Sequence, residues 1–382
     1  MGEVDLRRLA LDVLLPVWGD GEYLGARLSA VFDRHTDIDR RGRAFLTRLC
    51  FGTEEKLLLL DAVIDHYSST PVKKLRPAMR GVLRIAVYQI YFMDSVPEHA
   101  IVNEAVKLAN KKGLSGLRGF VNGVLRAILR DGRDIAACID RLKLSDSVRY
   151  SIPERIIELW DRDYGTEIRK KICEGFLEPP PTTIWTNTNP IVVKRLSSQG
   201  AVEDVPGFLE GEFYVQDESS MQPVFMAEIT SGERVLDVCA APGGKSLLAA
   251  RYGAAVEARD ISDEKLKRIE ANISRMRMGT DTDHPDDGRG SVSARLWDAT
   301  VDDPDSHDAY DVVLADLPCS GLGVLAKKPE IRYRVSLKDL EALAGLQSQI
   351  LDTVCAYVRA GGRLVYSTCR SEENTSELQS LA

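Results

Sequence analysis

Apolar positions in the first third of the chain recur at helical spacing. Leu6, Leu9, Val13 and Val17 mark one helix, closed around Gly19 and Gly21. Arg43–Leu60 and Arg76–Met93 read as longer apolar helices. The second is apolar almost all round, which places it at the centre of a bundle. Val96-Pro97 opens a helix over Glu98–Asn110, and Phe120, Val121, Val124, Leu125 and Ile128 place another over Leu117–Leu129. Helices joined by short loops predict an all-α bundle over residues 1–133.

The pattern then changes. Pro153 leads into a helix through Ile156, Ile157, Trp160 and Tyr164, and Glu178–Thr182, EPPPT, breaks the chain. Thr183–Asn187 reads as a strand and Pro190–Gln199 as a helix, so residues 134–211 are expected to form a small α/β linker subdomain. From residue 212 the two periods alternate. Strands are expected at Arg234–Val238, Val256–Asp260, Val292–Trp297, Tyr310–Asp316 and Arg363–Ser367. Helices begin at Lys245 and cover Asp263–Arg277 and Leu337–Val358. Such alternation predicts a mostly parallel sheet with helices on both faces, and ligands outside the carboxyl ends of its strands.

The 382 residues suffice for two or three domains. No apolar run approaches the roughly 20 residues of a membrane span, and the start, MGEVDLRRLALDVLL, carries no basic region followed by an apolar block. Neither membrane nor secretory routing is expected. Seven scattered cysteines without C-x-x-C spacing argue for a reducing, cytoplasmic setting, and no metal centre is expected. A net charge of −8 does not advertise nucleic-acid binding, but local groups can. Lys73, Lys74, Arg76, Arg80 and Arg84, then Lys107, Lys111, Lys112, Arg118 and Arg126, read either as an RNA groove or as solvated helix faces.

Candidate chemistry gathers past the strand ends. Val235–Ser246, VLDVCAAPGGKS, is a strand closing on Asp237, a small-residue turn, and Lys245-Ser246 opening a helix. Gly243 and Gly244 let the backbone approach a ligand, although the dinucleotide spacing G-x-G-x-x-G is missing. Asp260 and Asp298 follow the second and third strands as hydrogen-bond acceptors for a ligand. Asp316-Leu317-Pro318-Cys319 ends the fourth strand and Tyr366-Ser367-Thr368-Cys369 the fifth, so two thiols stand at the ligand edge. Cys50, Cys138, Cys173 and Cys355 read as buried filler.

The runs RGRAFLTRLCFGTEEK, LRIAVYQIYFMDSVPEHAIVNEAVKLA and GFVNGVLRAILR resemble the NusB-like RNA-binding domain of the RsmB/Sun (Fmu) ribosomal RNA cytosine methyltransferases. VLDVCAAPGGKS, DLPCSGLG and YSTC resemble the cofactor loop and the paired cysteine motifs of the same family. The resemblance implies a NusB-like bundle, the small linker subdomain, and an α/β class I (Rossmann-like) methyltransferase core over residues 212–374. It also implies that the core lacks its last strands and that residues 375–382 are a non-native or disordered tail.

By resemblance, S-adenosyl-L-methionine is the cofactor. Cys239, Ala240, Ala241, Pro242, Gly243, Gly244 and Lys245 hold it, with Asp260 on its ribose, Asp298 on its adenine amino group, and Asp316. Cys369 becomes the thiol that attacks C6 of a cytosine, and Cys319 assists release of the product. C5 of cytosine is a poor nucleophile until a thiolate adds at C6 and converts the ring to an enamine. Either Lys245 or the cofactor's sulfonium stabilises that thiolate. Asp316 meets the N3/N4 edge of the base, and donating to N3 requires its carboxyl protonated.

The implied partner is small-subunit ribosomal RNA, at a single-stranded or loop cytosine able to leave its stack, with the protein acting as a monomer. Lys327, Lys328 and Arg332 are candidates for gripping phosphates beside it. Two other readings stand beside this one: an RNA-binding or assembly protein with an inactive core, and the same chemistry on transfer RNA or DNA.

Overall fold

A computed structural model describes residues 4–177, 181–196, 202–280 and 288–368. Cys369, the acidic stretch 281–287 and residues 375–382 lie outside the described residues. The chain forms two units, Met1–Pro179 with Val324–Arg334, and Pro180–Gly323 with Val335–Ala382. Among the described residues no helix is long and apolar enough to cross a membrane.

The first unit is helical: α1 (Leu6–Gly19), α2 (Leu24–Arg34), α3 (Arg40–Glu55), α4 (Leu57–Tyr67), α5 (Pro77–Phe92), α6 (Glu98–Lys111) and α7 (Arg118–Arg130). α8 (Ile135–Leu142), α9 (Asp146–Arg149), α10 (Glu154–Tyr164) and α11 (Thr166–Gly175) complete it. α5 buries residues on every side, as its sequence requires. Its one buried charge, Arg84, makes two bonds to Asp61 at 2.7 and 2.6 Å and lies 4.7 Å over the Trp18 ring. α2 escaped the sequence reading because Leu24, Leu28 and Val31 are its only buried residues, a thin stripe.

The single helix expected over 43–60 is two. Leu59 N–H, which would close a helical bond onto the Glu55 carbonyl, donates instead to Ser151 Oγ at 3.1 Å. The Glu55 carbonyl accepts from Arg332 Nη1 and Tyr333 OH, both at 3.3 Å. Partners distant in sequence thus take both ends of the missing bond.

The second unit holds two sheets. β1 (Thr183–Thr186), β2 (Val193–Arg195) and β3 (Phe213–Val215) make an antiparallel sheet in the order β2-β1-β3. A strand therefore stands inside the helix expected over 190–199. The β-branched residues Ile191, Val192 and Val193 disfavour helix, and Val193 pairs with Trp185 on β1. The span 134–211 is divided, its helices lying in the first unit and its strands in the second.

After β3 come α12 (Glu218–Met226), β4 (Arg234–Asp237), α13 (Gly244–Arg251), β5 (Ala255–Asp260), α14 (Asp263–Met276), β6 (Ser291–Leu296) and β7 (Tyr310–Asp316). α15 (Ile331–Arg334) belongs to the first unit, and α16 (Leu337–Val354) and β8 (Val358–Ser367) return to the second. The sheet is parallel throughout in the order β6-β5-β4-β7-β8. The connection reverses direction at β4, which opens a crevice at the carboxyl ends of β4 and β7. Val235, Val256, Ala258, Val312 and Leu314 pack the core beneath it.

Residues 324–334 leave the sheet-forming chain to become part of the helical unit. Arg332 is 1% exposed, and its guanidinium donates to the carbonyls of Glu55, Tyr150, Ser151 and Leu325 at 3.2–3.5 Å. Glu330, also buried, accepts from Leu24 N–H at 3.2 Å. The expectation that Arg332 grips phosphate is therefore corrected: its side chain is buried, and Nη1 and Nη2 donate to buried carbonyls. Lys328 is exposed. Removing Arg332 strands carbonyls whose desolvation is already spent. Arg332→Leu should lower the unfolding free energy in urea by about 3 kcal/mol. Arg334, half-buried over the Tyr23 ring, should cost less than about 1 kcal/mol when replaced by Ala. Equal losses for the two would contradict this anchoring.

Candidate active site

β4 closes on Asp237, which is 1% exposed. Oδ2 accepts from Ser246 Oγ at 2.6 Å, while Oδ1 is buried without a partner among the described residues. Burial pushes the Asp237 carboxyl up to about 6, against the opposing pull of the Ser246 bond and the Lys245 ammonium. Burial likewise pushes the Cys239 thiol up to about 12, with Asp237 and Asp260 adding to it. Cys239 is therefore a neutral lining group.

The loop from Cys239 to Gly244 is held on every side. Ala240 N–H donates to the Arg259 carbonyl at 2.9 Å, Gly243 N–H to the Ala240 carbonyl at 2.6 Å, and Asn272 Nδ2 to the Pro242 carbonyl at 3.0 Å. Gly243 has φ +101°, a backbone state that side-chain-bearing residues rarely adopt. A Cβ on Gly244 would sit 3.0 Å from Tyr214 and 3.3 Å from Gln216, a tight fit against both side chains.

Three carboxylates line the neighbouring strand ends. Asp260 Oδ2 accepts from Ala241 N–H at 3.0 Å, and Oδ1 from Ile261 N–H at 2.8 Å and Lys265 Nζ at 2.9 Å. A carboxylate offers about four lone-pair sites, so one remains on Oδ2. Asp298 Oδ1 accepts from Thr300 N–H and Oγ1 at 2.9 and 2.7 Å, which leaves Oδ2 for a ligand. Asp316, at the end of β7, accepts from Lys245 Nζ at 2.5 Å on Oδ2 and from Ser367 Oγ at 2.9 Å on Oδ1.

With the orphaned oxygen of Asp237, these acceptors suit a ligand that presents N–H and O–H donors along β4, β5 and β6. Both oxygens of Asp316 accept, so Asp316 is not arranged as the donor that N3 of a base demands. Cys319 is half-buried on the loop after β7. That loop is fixed by Gln347 Nε2, which donates to the Pro318 carbonyl at 2.7 Å while its Oε1 accepts from Tyr366 OH at 3.0 Å. Cys369 lies outside the described residues. Cys50, Cys138 and Cys173 are buried as expected, whereas Cys355, at the end of α16, is exposed.

Ser220, Ser246, Lys265 and Ser367 were missed in the sequence. Each touches a site carboxylate or Lys245, yet only Ser246 and Ser367 sit within a motif that marks them. Of the cations expected to meet RNA, Arg84 is buried on Asp61, and Lys107, Lys111 and Lys112 pair with Glu104, Asp5 and Asp12. Lys73, Lys74 and Arg76 are exposed and, among the described residues, carry no ion pair.

The raised Asp237 carboxyl fixes a pH dependence. The folded chain keeps this proton where the unfolded chain has released it, so its contribution is full below about pH 4 and is lost as pH rises through about 6. The unfolding free energy of the unaltered chain, measured against Asp237→Asn, should fall by roughly 2 kcal/mol between pH 4 and pH 7. A difference that stays flat across this range would contradict the burial argument.

A family model described as "NusB family" matches residues 5–130, and one described as "16S rRNA methyltransferase RsmB/F" matches residues 224–381. The chain is 30% identical over 402 residues to the probable ribosomal RNA small subunit methyltransferase B of Bacillus subtilis (strain 168), covering 99% of this chain and 87% of that protein. It is 30% identical over 404 residues to ribosomal RNA small subunit methyltransferase B of Salmonella arizonae, covering 98% and 89%. The crystal structure of PH0851 superposes with a TM-score of 0.71 over 97% of this chain and 87% of that one, at 21% identity, a likeness of fold. The helical unit, the parallel sheet with its loaded strand ends, and near-full-length similarity to small-subunit methyltransferases agree: the chain belongs to the 16S rRNA methyltransferase RsmB/F family.

Proposed function

We propose that the protein methylates C5 of a cytosine in 16S rRNA, using S-adenosyl-L-methionine and a covalent adduct between Cys369 and C6 of the base. Residues 1–133 would hold RNA, 134–211 serve as a linker, and 212–374 carry the chemistry, in a cytoplasmic monomer. One observation carries the reading: Asp316, held between Lys245 and Ser367, adjoins the Pro318-Cys319 loop and the loop of β4.

The cofactor supplies an activated methyl group. Its amino acid end would lie on the β4–α13 loop beside Asp237, its ribose on Asp260 and its adenine amino group on Asp298. The acceptors left open on these three carboxylates support that placement.

Cys369 Sγ would add to C6 as the thiolate, forming the S–C6 bond and moving the C5–C6 electron pair to C5. C5 would take the methyl as the S–CH3 bond of the sulfonium breaks, leaving a neutral thioether. Water would then accept the C5 proton, the C5–H pair would re-form the C5–C6 double bond, and the S–C6 pair would return to Cys369 Sγ, with Cys319 assisting release. Asp316, arranged as an acceptor, suits the N4–H of the base. The donor for N3 would then be the Lys245 ammonium, whose three N–H bonds are not all spent on Asp316 and Ser220. Lys73, Lys74 and Arg76 would meet RNA phosphates.

Full-chain protein with RNA containing 5-fluorocytosine tests the covalent step. The unaltered chain and Cys319→Ala should give a complex stable to denaturing gels, and Cys369→Ala neither complex nor turnover. Trapping that persists without Cys369 and vanishes without Cys319 would overturn the assignment.

A further inference from the structure

A run of hydrogen bonds in the second unit leads from the three-stranded sheet to Asp316, through a stretch that the proposed chemistry leaves unused. Trp185 on β1 is fully buried, and its indole N–H donates to Gln216 Oε1 at 2.8 Å. An indole nitrogen only donates, so this contact fixes which end of the Gln216 amide faces it. Gln216 Nε2 therefore points the other way and donates to the Ser220 carbonyl at 3.0 Å. Ser220 lies in the first turn of α12, and its Oγ accepts from Lys245 Nζ at 3.2 Å. The same ammonium donates to Asp316 at 2.5 Å.

A lysine side chain has four rotatable bonds, and a single acceptor does not fix where its ammonium sits. Asp316 pulls Lys245 from one side and Ser220 holds it from the other, so the nitrogen is located by two fixed points. Ser220 is itself located by Gln216, whose amide is 7% exposed and bonded at both ends. Having accepted from Lys245, the Ser220 hydroxyl keeps its own proton.

We propose that Ser220 is a positioning residue for methyl transfer, holding the Lys245 ammonium on Asp316, with Gln216 setting the place of Ser220. This rests on the proposed function. Without the hydroxyl, Lys245 swings among rotamers and Asp316 retains Ser367 as its one settled donor. The proposed function rests the cofactor on Asp237, Asp260 and Asp298 and uses the Lys245 ammonium and Asp316 on the base. Ser220 touches none of the three cofactor carboxylates, so cofactor affinity should change little without its hydroxyl.

The test uses the full chain, S-adenosyl-L-methionine and unmodified 16S rRNA transcribed in vitro, with Ser220→Ala and Ser220→Thr. Ser220→Ala should lower kcat about tenfold and leave KM for RNA and cofactor within about twofold. Its melting temperature should stay within about 2 °C of the unaltered chain. Ser220→Thr, which keeps the hydroxyl, should recover kcat to within about threefold. A Ser220→Ala enzyme with unchanged kcat, one that loses only KM, or a Thr variant as slow as the Ala variant would each overturn the proposal. If the unaltered chain transfers no methyl to this RNA, the proposed function falls, and this inference with it.

Discussion

The ion pair between Lys245 and Asp316 joins the loop after β4 to the end of β7. Lys245 opens α13 from the β4 loop, and Asp316 ends β7 on the neighbouring strand. The pair is largely shielded, with side chains 12% and 23% exposed. Solvent screening, which reduces an exposed pair to about 0–1 kcal/mol, is correspondingly weaker here. Losing either partner would leave a charge in a poor solvent, a loss of a few kcal/mol where such pairs are fully buried. The rest of the site is arranged around this contact: Ser367 takes the second oxygen of Asp316, Ser220 the second face of Lys245, and Ser246 braces Asp237 one strand-end away.

The parallel sheet makes that arrangement possible. Its order reverses at β4, so the loops after β4 and β7 face each other across the crevice while β5 and β6 carry Asp260 and Asp298 alongside. None of these carboxylates is satisfied by chance. Asp260 is gripped by backbone N–H groups and a lysine, and Asp298 by Thr300. Each keeps acceptor capacity for a ligand, and the fully buried Asp237 keeps an oxygen that has no partner among the described residues.

Much of this was legible in the sequence because strand ends, turns and caps are local. The five parallel strands, the central position of α5, and the carboxylates at strand ends all follow from periodicity and the rule for ligands in open sheets. Features set by distant partners were not legible. The break at Lys56 depends on Ser151, Arg332 and Tyr333, and β2 depends on pairing with Trp185. Arg332 looked like a free cation beside Cys319 until its four carbonyl partners were visible, and Arg84 until Asp61 was. Ser220 carried no motif chemistry of its own, and only three-dimensional placement gives it one.

The most direct measurement is bisulfite sequencing of unmodified 16S rRNA incubated with the full chain and S-adenosyl-L-methionine. The expected result is resistance to deamination appearing at a defined cytosine, dependent on the cofactor and close to one methyl per RNA. Methyl transfer to another base, or none with folded protein and intact RNA, would contradict a cytosine-C5 methyltransferase built around the Lys245–Asp316 pair.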